Sequence, residues 1–391
     1  MASDSSFTSD LSTVSVLREA ESIVIKIGSV LVRDPETDGV RQGWMHALAQ
    51  DVAALMKLGK KVTIVSSGGI ALGRKALGIS GKVAPDQIPL QQKQAASAVG
   101  QYHLFHGYHK AFASCGIVAA QVLLTMSETE NRRMNLNARE TLHTLLDRGI
   151  VPVINENDTV STGEIRFGDN DRLSVRVGQM ILSDAVVLLS TTDGLYTANP
   201  DTNPDAVHIP LIEEITEEHV RMAGKAIPGL STGGMKSKIE AAQAAVKSGI
   251  HLVIANGRDD HVLRSLTEDG ARRSTLFHAL NTGASARQSW IETHMRPKGA
   301  YIVDDGAVKA LLSGKNSLLP VGVKSVEGRF ERGDVVEIMT FDGRKLGVGL
   351  SAYNADEARL VAGRQTADIP TLLGYAGRKA LVHYDDLMLL R

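Results

Sequence analysis

The sequence is short of most features that mark a secreted, membrane or nucleic-acid protein. Its 391 residues hold one cysteine, Cys115, so the chain can form no internal disulfide and no thiolate cluster for a metal. A reducing compartment fits, and the expected location is cytoplasmic. Aromatic residues make up 4% of the chain, which leaves few rings for stacking bases. Charge of one sign is not in excess: 43 Lys plus Arg face 44 Asp plus Glu, a net charge of −1. That balance lacks the basic surplus of a polyanion or anionic-membrane binder, so neither nucleic acid nor membrane is an expected partner. Long apolar runs are also missing. Ala185 to Leu189, among the most apolar, is far shorter than the ~20 residues a membrane-spanning helix requires. Residues 1–19 are rich in Ser and Thr and lack the basic start and apolar centre of a secretory signal, so they read as a mobile N-terminal tail.

What is present is an apolar content of 43%, enough for real cores in two or three domains at roughly 150 residues each. From Ser22 onward, short apolar runs alternate with helical patterns. The runs are Ile23 to Ile27, Val62 to Val65, Ile117 to Leu123, Val151 to Ile154, Ala185 to Leu189 and His251 to Ala255. Nearly continuous apolar runs suit strands buried on both faces of a parallel sheet. Trp44, Leu48, Val52 and Leu55 recur at helical spacing, and a second helix over Met235 to Lys247 closes at Gly249. The alternation predicts an α/β fold with a doubly wound, mainly parallel sheet between helices over residues 20–280. A linker over 281–296 follows, and then a small β-rich domain over 297–391, where runs such as Val335 to Met339 and Leu381 to Tyr384 are short and Gly-punctuated. That domain carries 13 basic against 12 acidic residues, which gives no polyanion face.

In an open parallel sheet, ligands bind beyond the carboxyl ends of the strands. There the sequence places Lys26-Ile27-Gly28-Ser29, then Ser66-Ser67-Gly68-Gly69, then Asn155-Glu156-Asn157-Asp158. Gly168-Asp169-Asn170-Asp171 reads as a compact acidic turn, and Ser190-Thr191-Thr192-Asp193-Gly194 as a loop with room for a base or sugar. Ser231-Thr232-Gly233-Gly234-Met235-Lys236-Ser237-Lys238 opens a helix with glycines and lysines, where N–H donors, helix dipole and ammonium groups converge on a phosphate. It is not a P-loop, because Gly234 is followed by Met235 instead of Lys. Gly347-Val348-Gly349-Leu350-Ser351-Ala352 matches a dinucleotide fingerprint formally, but it lies among short strands and reads as a turn.

In their order these motifs resemble the glutamate 5-kinase family of the amino-acid kinase superfamily. The resemblance rests on Val24 to Ser29, Ser66 to Ile70, Leu136-Asn137-Ala138-Arg139, Val151 to Asp158, Gly168 to Asp171, Gly194 to Ala198 and Thr232 to Lys238. It continues through a PUA-like segment from about Lys298 to Gly374. It implies an amino-acid kinase fold and transfer of the ATP γ-phosphoryl group to the side-chain carboxylate of L-glutamate, the first step of proline synthesis. Ser67, Asp158 and Asn170 match the family's glutamate-binding positions. Lys26, Ser190, Thr191, Thr232, Gly233, Gly234, Met235, Lys236, Ser237 and Lys238 match its ATP-binding positions, with Lys26 and Lys238 catalytic and Asp171 organising them. Mg²⁺ is implied as the partner of ATP, with no dedicated metal ligand in the chain. Further implied partners are proline as feedback inhibitor, the reductase that consumes the product, and a second copy of the chain in a homo-oligomer. Aspartate or N-acetylglutamate as acceptor, or RNA binding through the PUA-like domain, are the alternative readings. A carboxylate acceptor has a pKa near ~4.3, so it is ionised at neutral pH and needs no general base.

Overall fold

The computed structural model describes residues 11–80, 83–84, 87–161, 169–224, 234–269, 272–280, 297–314 and 316–390. The expected linker at 281–296 lies outside them. The chain divides into two compact units: residues 1–130 with 137–283, and residues 131–136 with 284–391.

The first unit is built on an eight-stranded sheet. Its strands are β1 (Ser22–Ile27), β2 (Lys61–Ser66), β3 (Ala119–Leu124), β4 (Val151–Glu156), β5 (Ala185–Ser190), β8 (Leu211–Ile212), β9 (His251–Asn256) and β10 (Ser274–Phe277); β6 (Leu195–Tyr196) and β7 (His208–Ile209) form a separate hairpin. The order is β3-β4-β2-β1-β5-β9-β10-β8. Every neighbour from β3 to β9 is parallel, while β10 runs antiparallel to β9. Helices fill the crossovers: α1 (Thr13–Glu19), α2 (Ser29–Val32), α3 (Gln42–Lys57), α4 (Gly69–Gly73), α5 (Leu90–Ser114), α6 (Met126–Glu130), α7 (Arg132–Leu146), α8 (Asp169–Ile181), α9 (Glu217–Met222) and α10 (Met235–Lys247).

Because side chains alternate across a strand, each central strand feeds two cores. Ile23, Ile25 and Ile27 of β1 pack with Ile64, Val187 and Val253 against α1, α3 and α5. Val24 packs with Val65, Val186, Leu188 and Ile254 against α7, α8 and α10. Lys26 has the parity of Val24, and alternation therefore turns it toward α8 and α10. β3 lies at the sheet edge, and its burial alternates where an unbroken apolar strand was expected.

The expectation of a mobile tail fails for residues 13–19. They form α1, closed by a capping box between Ser12 and Ser15, with Val16 and Leu17 buried in the first core. The Ser/Thr content misled because Ser12 and Ser15 serve as caps, not as solvated linker residues.

The second unit holds a five-stranded sheet in the order β12-β11-β13-β14-β15, from β11 (Gly299–Val303), β12 (Val323–Gly328), β13 (Val335–Thr340), β14 (Lys345–Leu350) and β15 (Leu387–Leu389). Tyr301, Val323, Ile338, Leu346 and Leu381 are in its core. Gly347 and Gly349 lie on β14, not in a turn. A Cβ on Gly347 would sit 2.0 Å from Met388 O, so this glycine serves close strand approach. The expected strand at Leu381 to Tyr384 reduces to one bridge, Leu318 to Val382, before a 3₁₀ turn. Among the described residues no helix is long and apolar enough to cross a membrane.

Candidate active site

The carboxyl ends of β1, β2, β5 and β9 are knitted together. Ser67 N donates to Ile27 O at 2.9 Å, Gly28 N to Leu189 O at 3.4 Å, and Gly257 N to Ser190 O at 2.8 Å. Asn256 Nδ2 donates to Thr191 O at 3.4 Å. Gly28, Ser67, Ser190 and Thr191 thus share one rim, with Ser190 and Thr191 half-buried.

Beneath that rim Lys26 meets two helix starts. Its Nζ lies 2.6 Å from Asp171 Oδ1, and Lys238 Nζ lies 3.1 Å from Asp171 Oδ2. Ser237 Oγ donates to the same Oδ2 at 3.0 Å. Lys26 and Lys238 are 8% and 6% exposed and Asp171 is fully buried. Burial alone would raise the Asp171 pKa, but the ammonium groups of Lys26 and Lys238 outweigh it and hold the carboxyl at about 2. Lys238 is pushed down from its ordinary value by burial and by Lys26, against the pull of Asp171. Two cations therefore share one carboxylate in a place nearly shut from water.

Local sequence explains the placement. Asp169 to Asp171 of the segment expected as an acidic turn open α8, where Asp171 is favoured by the N-terminal dipole, and Gly168 lies outside the described residues. Ser174 Oγ donates to Asp171 O at 2.7 Å and tightens that turn. α10 starts after Gly234, and its burial pattern turns Lys238, Ile239 and Ala242 inward while Lys236 stays exposed. Met235 packs partly against the second core. Thr232 and Gly233 lie outside the described residues. Among the described residues no group of three or more His, Cys, Asp or Glu side chains is placed to hold a metal.

A second group surrounds the segment after β4. Asp158, 6% exposed, accepts from Ser97 Oγ at 2.6 Å. Glu156 O accepts from Gln101 Nε2 at 3.4 Å. Asn170 Oδ1, beside Asp171, and Asn155 Nδ2 are buried without a hydrogen-bond partner among the described residues. Ser97 and Gln101 were not singled out from the sequence. They stand at helical spacing on α5, and only the fold shows that their face meets β4. A Cβ on Gly194 would sit 2.4 Å from Thr275 Oγ1, the atom that accepts from Leu195 N, so this position has no room for a side chain.

The fold and the paired lysines place the chain in a class. It belongs to the amino acid kinase family, whose model matches residues 21–256, and a PUA domain matches residues 299–373. Three glutamate 5-kinases resemble it over almost their whole length. The one from Rhodospirillum rubrum is 50% identical over 94% of this chain and 96% of its own. That from Ruegeria sp. is 50% identical over 96% of this chain and 100% of its own. That from Paramagnetospirillum magneticum is 47% identical over 96% and 100%. Within the amino acid kinases, the chain is a member of the glutamate 5-kinase family.

Proposed function

We propose that this chain transfers the γ-phosphoryl group of Mg–ATP to the side-chain carboxylate of L-glutamate, with Lys26 and Lys238 as the catalytic cations. The product is L-glutamyl 5-phosphate, and the step opens proline biosynthesis. The observation that carries the assignment of roles is the buried Lys26–Asp171–Lys238 cluster, two ammonium groups held on one carboxylate. A carboxylate oxygen attacks the γ-phosphorus, the bond to the β–γ bridging oxygen breaks, and ADP leaves with that electron pair. No proton has to be removed, because the acceptor is already ionised. The difficulty is the approach of one anion to another, which fixed positive charge and alignment relieve.

Asp171 holds the lysines in place, and the N-termini of α8 and α10 add favourable dipoles. Ser190, Thr191 and the 232–238 segment take the nucleotide. Ser67, Asp158 and Asn170 take glutamate: Asp158 supplies charge for the substrate ammonium, and the orphaned Asn170 Oδ1 supplies an acceptor. Magnesium bound to the nucleotide would add positive charge on its phosphates, while Lys26, Lys238 and Ser237 engage Asp171. Proline as a competitor for the glutamate pocket, a homo-oligomeric assembly, a cytoplasmic location and transfer of the labile acyl phosphate to a glutamyl phosphate reductase complete the reading.

The test is ADP release with Mg–ATP and glutamate, aspartate or N-acetylglutamate, with and without proline. Turnover with glutamate alone supports the proposal. Preference for N-acetylglutamate would overturn the role of Asp158, since that acceptor has no ammonium.

A further inference from the structure

α5 presents one polar stripe to the acceptor side of the site. Gln94, Ser97 and Gln101 are spaced by three and four residues and so share a helix face. All three reach the segment around the end of β4. Gln94 Nε2 donates to Ser161 O at 3.1 Å, Ser97 Oγ to Asp158 Oδ2 at 2.6 Å and Gln101 Nε2 to Glu156 O at 3.4 Å. Further along α5, Tyr108 OH and Ser66 Oγ are 2.8 Å apart, one residue before Ser67.

Ser97 is the member of this stripe that touches a candidate substrate ligand. It lies in Ala95-Ala96-Ser97-Ala98, where alanine would be the better helix former. A serine inside a helix commonly returns its hydroxyl to a carbonyl of the preceding turn. Ser97, 1% exposed, instead reaches a carboxylate 61 residues away. The backbone beneath it is fixed by close packing, because a Cβ on Gly100 would lie 1.7 Å from Gly69 O and one on Gly73 1.8 Å from Ala96 O. The hydroxyl therefore comes from a rigid base, and a charged acceptor makes its hydrogen bond a strong one.

We infer that Ser97 is a positioning residue for the phosphoryl acceptor: it fixes the Asp158 carboxylate in the orientation that receives the substrate ammonium. This rests on the reading of Asp158 as a glutamate ligand. Without that bond the carboxylate is held less tightly and binds glutamate less well, while the lysine cluster and nucleotide rim are untouched.

The experiment uses the full chain with Ser97→Ala, Asp158→Asn and the double substitution. Ser97→Ala is expected to raise KM for glutamate about tenfold and to leave kcat and KM for ATP within about twofold, with a small drop in melting temperature that alanine's helix propensity partly offsets. In the Asp158→Asn background Ser97→Ala is expected to raise KM for glutamate by a smaller factor than it does in the parent, because Ser97 acts through that carboxylate. An unchanged glutamate KM in Ser97→Ala while Asp158→Asn raises it overturns the inference and leaves the Asp158 reading standing. Additive effects, or a joint fall in kcat and both affinities with lowered melting, show a merely structural serine. No glutamate effect in Asp158→Asn removes the Asp158 reading and the inference with it.

Discussion

Lys26 and Asp171 meet at 2.6 Å because alternation along β1 aims the lysine at the face that the first turn of α8 covers. Lys238 completes the cluster from α10, on the opposite oxygen. Replacing Asp171 with Asn removes the carboxylate that the two buried ammonium groups share. Removing one partner of a buried pair costs about 3 kcal/mol or more, so Asp171→Asn should melt at lower temperature and turn over at least about 100-fold more slowly. Thermal melts and steady-state kinetics check both. A variant with nearly parental kcat would remove Asp171 from the mechanism.

The same carboxylate sets an acid limit. Its folded pKa of about 2 lies below the ordinary 3.8, so its stabilising contribution is present above the ordinary value and is lost as pH falls toward 2. Asp171→Asn should lose less stability than the parent over that window, as read by denaturant titrations at successive pH values. Parallel losses in the two proteins would contradict it.

Lys238 gives an alkaline signature. Burial and Lys26 depress its pKa, and a depressed base sheds its proton at lower pH than an ordinary lysine. Activity should therefore fall on the alkaline side with a midpoint below 10.5, the unperturbed value. Bound triphosphate adds negative charge, so the fall in kcat/KM for ATP should come at lower pH than the fall in kcat. Lys238→Arg should lose the limb, since a guanidinium stays charged. A limb that survives in Lys238→Arg would assign it to another group.

The central strands were readable because both their faces are buried, which leaves an apolar run without alternation. The direction of Lys26 was also present, in its parity with Val24. α1 was missed because a seven-residue helix offers barely two turns of periodicity, and Ser12 and Ser15 look equally like linker residues. The antiparallel β10 was missed because four residues at Ser274–Phe277 carry no register signal. Gly347 and Gly349 resembled a nucleotide fingerprint, but what they accommodate is the neighbouring strand β15 and the segment next to it. Ser97 and Gln101 could not be read because a helix face shows its polar residues in sequence but not the loop it will meet.

Asp158 should separate the two substrates. Asp158→Asn keeps its shape and the bond from Ser97 but loses its charge, so KM for glutamate should rise about tenfold or more with KM for ATP unchanged. Initial-rate measurements with each substrate varied in turn decide it. A large ATP defect beside an unchanged glutamate KM would contradict the assignment.

A Cβ on Gly73 would lie 1.8 Å from Ala96 O and 2.8 Å from Gly100 N, which are backbone atoms that cannot swing aside. Gly73→Ala must therefore push α4 away from α5, at a cost of about 1–3 kcal/mol. Ser67 and Gly68 lead directly into α4, and Gly68 at φ 122 already holds a conformation that other residues rarely adopt. The displacement should reach the acceptor pocket first, so glutamate KM should rise more than ATP KM. Gly43→Ala is the control. That glycine lies in α3 with nothing within 4 Å of a new Cβ, so alanine there should stabilise by up to about 1 kcal/mol and leave both KM values alone. If the two alanine variants melt alike, close approach of α4 and α5 does not shape this pocket.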